Sequence, residues 1–274
     1  MSIRLITFDL DGTLLDNRKQ VSAENREALF TAGERGIFLV PCTARLFDKI
    51  PDAVKKLPFV RYVITVNGAE VYDRKEGRVI RRAELSVQEA EALYDYMDNL
   101  PVIYDCYQKG QGWMKREFYE HAGDLIKDKA FLRMLRSTRI PVEHFREEMH
   151  RRDCPIQKTQ MFFGDLKRRD LEMERVKERF PMHAVTSSLC NNIEINSGSA
   201  TKGAALTDLC GHLGILPSEC MALGDSNNDI SMLRLAGIGV AMDNASSDVK
   251  GRADVVTASN EESGVAKAIR QYAL

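Results

Sequence analysis

The sequence predicts an α/β fold in which a parallel β-sheet carries an inserted α+β domain. Short apolar runs of strand length alternate with helical stretches in both the first and the last part of the chain. The middle is different in composition, because it is richer in Arg, Tyr, Met and Phe. Acidic and polar side chains directly follow several strands in the first and last parts of the chain. They lie at the edge where an open α/β sheet binds its ligands.

The first part of the chain predicts strand, helix, strand, helix and strand, which is the βαβ pattern of a parallel sheet. Ser22 is a typical N-cap, and the helix behind it ends near Gly33 to Gly36. The expected strands cover 5–8, 37–40 and 62–66, with a short helical segment that ends at Leu57 and a hairpin at the edge over 71–80.

The middle of the chain predicts a separate domain with its own sheet. Its expected elements are a helix over 86–100, a strand over 102–107, a turn at Gly110 to Gly112, a helix over 120–136, a strand over 158–163, a helix over 166–180 and a strand over 183–187. The strand 192–195 either closes this sheet or returns the chain to the core.

The parallel pattern resumes in the last part of the chain. Its expected elements are a helix over 201–213, a strand over 220–223, a helix that ends at 236, strands over 238–241 and 253–256, and a helix over 261–272. We therefore expect a core domain formed by 1–84 and 191–274, with 85–190 inserted between its two parts.

Composition excludes several classes of protein. The 274 residues carry a net charge of −1, which gives no electrostatic reason to expect nucleic acid or an anionic membrane as partner. No apolar run approaches the roughly 20 residues of a membrane span, and the first residues do not resemble a signal peptide. The six cysteines lack a regular spacing, so we expect free thiols in a reducing compartment, the cytoplasm.

Four polar clusters fall at the expected ends of core strands or at a helix start. They are Asp9 with Asp11, Thr43 with Arg45, Lys202, and Asp225 with Asn228 and Asp229. Each one alone has an ordinary interpretation as a turn, a helix cap or a solvated lysine. Because all four fall at the ligand-binding edge of one sheet, together they indicate an active site.

The residue types in these clusters suit phosphoryl transfer. The acids form a hard, oxygen-rich site of the kind that Mg²⁺ prefers. A carboxylate can accept a phosphoryl group, but it must approach an anionic phosphate. The metal, Lys202 and backbone N–H groups would therefore have to neutralise the charge. The Thr43 hydroxyl, at a strand end that leads into a helix, suits donation to a phosphate oxygen.

With these motifs in order, the chain resembles a haloacid dehalogenase (HAD) superfamily phosphatase of the Cof-like branch, type IIB, along its whole length. The resemblance implies a Rossmann-like core with a large α/β cap that determines substrate specificity. It implies Mg²⁺ as cofactor, a small phosphorylated metabolite such as a sugar phosphate as substrate, and no nucleic-acid or membrane partner. The oligomeric state, monomer or dimer, stays open.

The resemblance also implies roles for individual residues. Asp9 would be the nucleophile that forms an aspartyl-phosphate, and Asp11 would act as general acid and then as general base. Thr43 and Lys202 would hold the phosphoryl group. Mg²⁺ would be bound by Asp9, the backbone carbonyl of Asp11 and Asp225, with Asp229 in support. The residues implied to line the substrate site are Gly12, Ala44, Arg45, Asn67, Gly68 and Asn228.

One position departs from the family pattern. The family usually has Gly directly after the Thr or Ser that corresponds to Thr43, whereas this chain has Ala44. An added Cβ disfavours positive φ and thickens the loop where backbone meets phosphate. We expect activity to survive this smallest of changes, while the role of Arg45 near the substrate becomes less certain.

Other interpretations stay open from sequence. Asn67-Gly68 is also a common hairpin signal. A phosphomutase would use the same core and would need a second phosphate contact from the Arg-rich insert. A catalytically silent binding protein could retain the fold, although the intact Asp9 and Asp11 argue against it.

Overall fold

A computed structural model describes residues 2–274, apart from the side chain of residue 130. The strands, in chain order, are β1 (Leu5–Phe8), β2 (Phe38–Pro41), β3 (Tyr62–Thr65), β4 (Glu70–Asp73), β5 (Arg78–Arg82), β6 (Ile103–Gln108), β7 (Gln111–Lys115), β8 (Arg139–Val142), β9 (Lys158–Phe162), β10 (His183–Thr186), β11 (Asn192–Ser197), β12 (Cys220–Gly224), β13 (Ile238–Ala241) and β14 (Val255–Val256).

The α-helices, in chain order, are α1 (Ala23–Glu34), α2 (Asp52–Lys55), α3 (Val87–Met97), α4 (Arg116–Leu125), α5 (Lys129–Thr138), α6 (Phe145–Arg151), α7 (Leu166–Arg179), α8 (Lys202–Leu213), α9 (Ile230–Leu235), α10 (Ser247–Lys250) and α11 (Gly264–Tyr272). No helix among the described residues is both long enough and apolar enough to cross a membrane.

The chain divides into two compact units. The core unit contains the residues up to Arg82 together with Thr201–Leu274, and the insert unit contains Ala83–Ala200. The core unit has a parallel sheet in the order β14-β13-β12-β1-β2, and the insert unit has a mixed, mainly antiparallel sheet. The predicted fold class, an α/β core with an α+β insert, is confirmed.

β1 lies in the interior of the core sheet, where all four of its residues are buried. Its residues Leu5 to Phe8 pair in parallel with β12 on one side and with β2 on the other. Ile6 and Phe8 pack in the cluster that includes α1 and α11, whereas Leu5 packs in the cluster that includes α8 and α9. Each fully buried side chain of this size contributes about 1.5–3 kcal/mol to stability.

The sheet continues beyond β2 through a single parallel bridge between Cys42 and Ile64. β3 then pairs with β4, and β4 with β5, in an antiparallel meander. The expected edge hairpin is therefore present. The turn between β3 and β4 lies at the carboxyl end of β3, beside the segment that follows β2.

The insert unit has the strand order β10-β11-β9-β6-β7-β8. β11 pairs antiparallel with β9 and with β10. It therefore belongs to the sheet of the insert unit, where it lies between these two strands, and does not return the chain to the core. The insert unit consequently extends to Ala200, beyond the limit of 190 that we expected from sequence.

Two features of the insert differ from the expected elements. The stretch 120–136 forms two helices, α4 and α5, and the Asp128 carboxylate between them accepts a hydrogen bond from the Phe131 N–H at 2.9 Å. Such a cap starts a new helix. The strands β7 and β8 and the helix α6 also exist, although we did not expect them from sequence. β8 tolerates Pro141 because it is an edge strand, paired in parallel with β7 alone.

Candidate active site

The polar clusters meet at one edge of the core sheet. Because β1, β2 and β12 run parallel, their carboxyl ends lie side by side. Asp9 directly follows β1, Thr43 follows the residue after β2, and Asp225 directly follows β12. Lys202 is the first residue of α8, behind the N-cap Thr201, whose hydroxyl accepts from the Ala204 N–H at 3.0 Å.

Lys202 is fully buried between two acids. Its Nζ lies 2.6 Å from Oδ1 of Asp9 and 2.6 Å from Oδ1 of Asp229. Burial works to lower the pKa of Lys202, but the charges of Asp229 and Asp9 outweigh it and hold this pKa well above its ordinary range. The two carboxylates therefore favour the charged form of the lysine in the site.

Asp9, Asp225 and Asp229 form one carboxylate cluster. Each offers an oxygen, and these oxygens lie within 4.8 Å of one another. Burial raises the pKa of Asp9 well above its usual value, and the charges of Asp229 and Asp225 add to this effect against that of Lys202. Burial and the charge of Asp229 also raise the pKa of Asp225 to about 6. The cluster is thus short of positive charge even with Lys202 present.

Asp229 and Asp225 differ in their hydrogen bonds. Besides the contact with Lys202, Asp229 accepts at Oδ2 from the backbone N–H groups of Asp225 and Ser226, both at 2.9 Å. Asp225 accepts at Oδ1 from the Thr13 hydroxyl at 2.7 Å and at Oδ2 from the Ser226 hydroxyl at 3.1 Å. Asp229 therefore fixes the lysine and the loop, while Asp225 stays less fully bound.

Gly12 permits the close approach of the β1 loop to Asp225. Its φ is +85°, and a Cβ at this position would lie 2.4 Å from Oδ2 of Asp225. The carbonyl of Gly12 accepts from Nδ2 of Asn244 at 2.8 Å. The glycine is needed here because both the φ angle and the space exclude a side chain.

Asp11 is bound by two cations. Arg45 makes a two-point contact with it, from Nε to Oδ2 at 2.6 Å and from Nη2 to Oδ1 at 2.8 Å. The Lys19 Nζ lies 2.7 Å from Oδ1. Burial works to raise the pKa of Asp11, but the hydrogen bonds and charges of Arg45 and Lys19 outweigh it and lower this pKa to about 2.

The segment after β2 is held against both neighbouring loops. Thr43 is buried, its hydroxyl accepts from the Arg45 N–H at 3.2 Å, and its N–H donates to Ile64 at 2.9 Å. Ala44, where the family pattern has Gly, is absent from the described residues with positive φ. Its Cβ consequently costs no backbone strain at this position.

The Asn67-Gly68 turn joins β3 to β4, as a hairpin signal predicts, and it also lies beside another predicted site residue. Asn228 donates from Nδ2 to Oδ1 of Asn67 at 3.0 Å. Three consecutive residues have positive φ, which is 50° at Val66, 59° at Asn67 and 97° at Gly68. Such strain in a β-branched residue is uncommon and is found at functional sites.

The structure therefore brings the predicted residues together in three groups. Asp9, Asp225, Asp229 and Lys202 share one cluster, Asp11 pairs with Arg45 beside Thr43 and Ala44, and Asn67 with Gly68 lies at Asn228. Sequence reasoning missed Thr13, Lys19, Ser226 and Asn244. Thr13 lies two residues after Asp11, so its place beside the predicted acids could have identified it as a site residue. Lys19 and Asn244 lie in loops that contain no recognisable motif.

Comparison with known proteins identifies the family of the chain. The family described as haloacid dehalogenase-like hydrolase matches residues 6–269. The 5-amino-6-(5-phospho-D-ribitylamino)uracil phosphatase YcsE of Bacillus subtilis is 32% identical over 274 residues, covering 100% of this chain and 97% of that protein.

Solved structures share the fold. A haloacid dehalogenase-like hydrolase from B. subtilis has a TM-score of 0.84 and 30% identity, and the match covers 98% of this chain and 100% of that one. A HAD subclass IIB sugar phosphatase has a TM-score of 0.82 over 98% of both chains, and its 23% identity shows the fold alone. The family match and the 32% identical relative each span nearly the whole chain. This chain belongs to the haloacid dehalogenase-like hydrolases.

Proposed function

We propose that the chain is an Mg²⁺-dependent phosphatase that hydrolyses small phosphomonoesters through an aspartyl-phosphate on Asp9. The observation that carries this proposal is the position of Lys202, which is buried and in contact with both Asp9 and Asp229 at 2.6 Å. A fixed cation beside a strand-end carboxylate lets that carboxylate approach an anionic phosphate.

The residues of the site fit a hard divalent cation. Their donors are carboxylate oxygens, which Mg²⁺ prefers. Burial and the neighbouring carboxylates raise the pKa values of Asp9 and Asp225, and this supports a cation at the cluster in addition to Lys202. Asp9, Asp225 and the backbone carbonyl of Asp11 would hold the ion, with Asp229 fixed by its own hydrogen bonds as support. When bound, the ion would neutralise charge on the phosphoryl oxygens.

The first step would transfer the phosphoryl group to the protein. A carboxylate oxygen of Asp9 attacks phosphorus, and the bond between phosphorus and the leaving-group oxygen breaks. Asp11 gives its proton to that oxygen, so the alcohol leaves neutral. Lys202 and the Thr43 hydroxyl stabilise the charge on the transferring group. The product of this step is an acyl phosphate on Asp9.

The second step would return Asp9 to its carboxylate form. Asp11, now ionised, takes a proton from a water molecule that attacks phosphorus, and the bond between phosphorus and the Asp9 oxygen breaks. Inorganic phosphate is released. The Arg45 and Lys19 contacts keep Asp11 ionised at neutral pH, which is the form that this step needs. The first step needs the protonated form, so Asp11 must gain a proton when substrate binds.

We further propose that the substrate is a small phosphorylated metabolite, such as a sugar phosphate, and that the insert unit selects it. The name of the B. subtilis relative, a 5-amino-6-(5-phospho-D-ribitylamino)uracil phosphatase, supports a compact phosphomonoester with a polyol chain.

The test is hydrolysis of 4-nitrophenyl phosphate with Mg²⁺ and with excess chelator. The proposal expects turnover that depends on the metal, and a loss of at least about 10³-fold in kcat for Asp9→Asn, because a missing nucleophile costs at least this much. Metal-independent turnover in the wild-type protein, or full activity of Asp9→Asn, would refute the mechanism.

A further inference from the structure

We propose that Arg45 is a positioning residue that acts through Asp11, and that it is not a direct contact of the substrate phosphate. The inference rests on the proposed function, in which Asp11 transfers protons. The resemblance places Arg45 in the lining of the substrate site. The inference gives it a different role, which is to orient Asp11. The structure supports it through the geometry of the pair and through the way in which Arg45 is anchored.

The pair has the geometry of a strong, directional contact. Two nitrogens of one guanidinium meet the two oxygens of one carboxylate, at 2.6 Å and 2.8 Å. This two-point contact fixes both the position and the plane of the carboxylate, because guanidinium and carboxylate are planar and match in spacing. The side chain of Arg45 is only 27% exposed, so solvent competes little for it.

Arg45 is itself fixed by the segment after β2. Its Nη1 donates to the carbonyl of Lys49 at 3.1 Å, and its N–H donates to the Thr43 hydroxyl at 3.2 Å. Nε, Nη1 and Nη2 are thus all engaged with protein oxygens. The arginine is therefore held as a rigid support and not as a mobile side chain ready to reach a ligand.

Lys19 provides an informative contrast. It contacts the same Oδ1 of Asp11 at 2.7 Å, but it makes a single contact and its side chain is 52% exposed. An ammonium group is a point charge on a flexible stem, so it attracts the carboxylate without fixing its plane. The orientation of Asp11 consequently depends on Arg45. A proton donor or acceptor must be held in the correct geometry to work, so Arg45 controls both proton transfers.

The test is a double-mutant cycle read with the fluorogenic substrate 4-methylumbelliferyl phosphate, combined with binding of inorganic phosphate to the Mg²⁺-loaded protein by calorimetry. If Arg45 acts through Asp11, Arg45→Ala lowers kcat by about 10- to 100-fold in the wild-type background. It lowers kcat by less than about threefold in the Asp11→Asn background, since coupled residues are not additive. Phosphate affinity stays within about twofold of wild type.

Two matched variants sharpen the experiment. Arg45→Lys keeps the charge but loses the two-point contact, so kcat recovers only in part. Arg18→Ala removes an exposed arginine from the loop that follows Asp11 and leaves kcat unchanged. An equal loss of kcat in both backgrounds, or a loss of phosphate affinity of tenfold or more, overturns the inference and identifies Arg45 as a phosphate contact. If Asp11→Asn alone keeps the wild-type rate, the proposed proton transfer fails first, and the inference fails with it.

Discussion

At the scale of single residues, the charge balance of the site depends on Lys202. It is a buried cation between two buried carboxylates, Asp9 and Asp229. Removing charges from water costs several kcal/mol per ion. The mutual attraction of the three groups and the two backbone hydrogen bonds to Asp229 offset this cost. Loss of the lysine would leave two uncompensated anions in the interior. We therefore expect Lys202 to stabilise the fold as well as to serve the reaction.

We predict that Lys202→Met lowers the free energy of unfolding by about 3–5 kcal/mol at pH 8 without divalent cations. The pKa of Asp9 is already raised in the folded protein, and Lys202 is the group that works to lower it. Its removal raises this pKa further. An acid with a raised folded-state pKa destabilises the fold as pH rises above its unfolded value of about 4. The decrease in the free energy of unfolding caused by Lys202→Met should therefore be smaller at pH 5 than at pH 8.

Urea unfolding at the two pH values measures this effect. The matched control is Lys250→Met, because Lys250 contacts Asp243 at 2.9 Å on the surface, where the two side chains are 30% and 63% exposed. Such a pair contributes at most about 1 kcal/mol. An equal loss at pH 5 and pH 8, or a loss no larger than that of the control, would contradict the prediction.

How much of the site could be predicted varies from residue to residue. The positions of Asp9, Thr43 and Asp225 were predictable because a strand end in a parallel sheet fixes where the next residues lie. The partners of Asp11 were not, because Arg45 and Lys19 reach it through side-chain conformations that spacing does not encode. Lys19 also has a φ of 62°, which few lysines adopt and which no local motif signals.

At the scale of elements, the loop after β1 depends on the backbone of Gly12. The loop turns sharply at this residue, and its chain passes directly beneath the carboxylate of Asp225. Gly36, which follows α1, has a similar φ of +79°, but nothing lies within 4 Å of the position that its Cβ would occupy. The two glycines therefore separate the cost of the φ angle from the cost of the close approach.

We predict that Gly36→Ala lowers the free energy of unfolding by about 1 kcal/mol, the cost of a left-handed alanine, with unchanged kcat. Gly12→Ala should lower the free energy of unfolding further. It should also reduce kcat by at least about tenfold, because the new Cβ would push the carboxylate of Asp225 out of place, and small misplacements of active-site groups already impair catalysis. Unfolding in urea and steady-state kinetics measure the two effects. Equal stability and equal activity of the two variants would show that the close approach carries no cost.

The elements of the core were easier to predict than those of the insert. The core strands β1, β3 and β12 are short runs buried at every position, which is a strong sequence signal. β7 alternates buried and partly exposed positions, and in β8 only Arg139 is buried. The two strands also contain Gly112 and Pro141, residues that disfavour strands. The break between α4 and α5 depends on a cap by Asp128, and an apolar periodicity that continues through a break does not reveal it.

At the scale of the whole molecule, the chain builds the core unit from two distant segments. β1 pairs with β12, so Leu5 lies beside Cys220. The clusters that form the site come from both segments, with Asp9 before the insert and Lys202, Asp225 and Asp229 after it. The insert unit has its own hydrophobic core, in which Tyr94, Tyr104 and Phe145 pack together. The change in composition and the return of the parallel pattern predicted a division of this kind, but the place of β11 required the strand pairing itself.

The central claim is that Asp9 carries the phosphoryl group. The most direct measurement is acid quenching of the protein during turnover of 4-nitrophenyl phosphate with Mg²⁺, followed by mass spectrometry of the peptide that contains Asp9. We expect phosphate on Asp9 in the wild-type protein, more of it in Asp11→Asn if loss of the base slows the second step more than the first, and none in Asp9→Asn. Phosphate on a residue other than Asp9 would contradict the mechanism. So would turnover by the wild-type protein with no phosphorylated peptide in either the wild-type protein or Asp11→Asn.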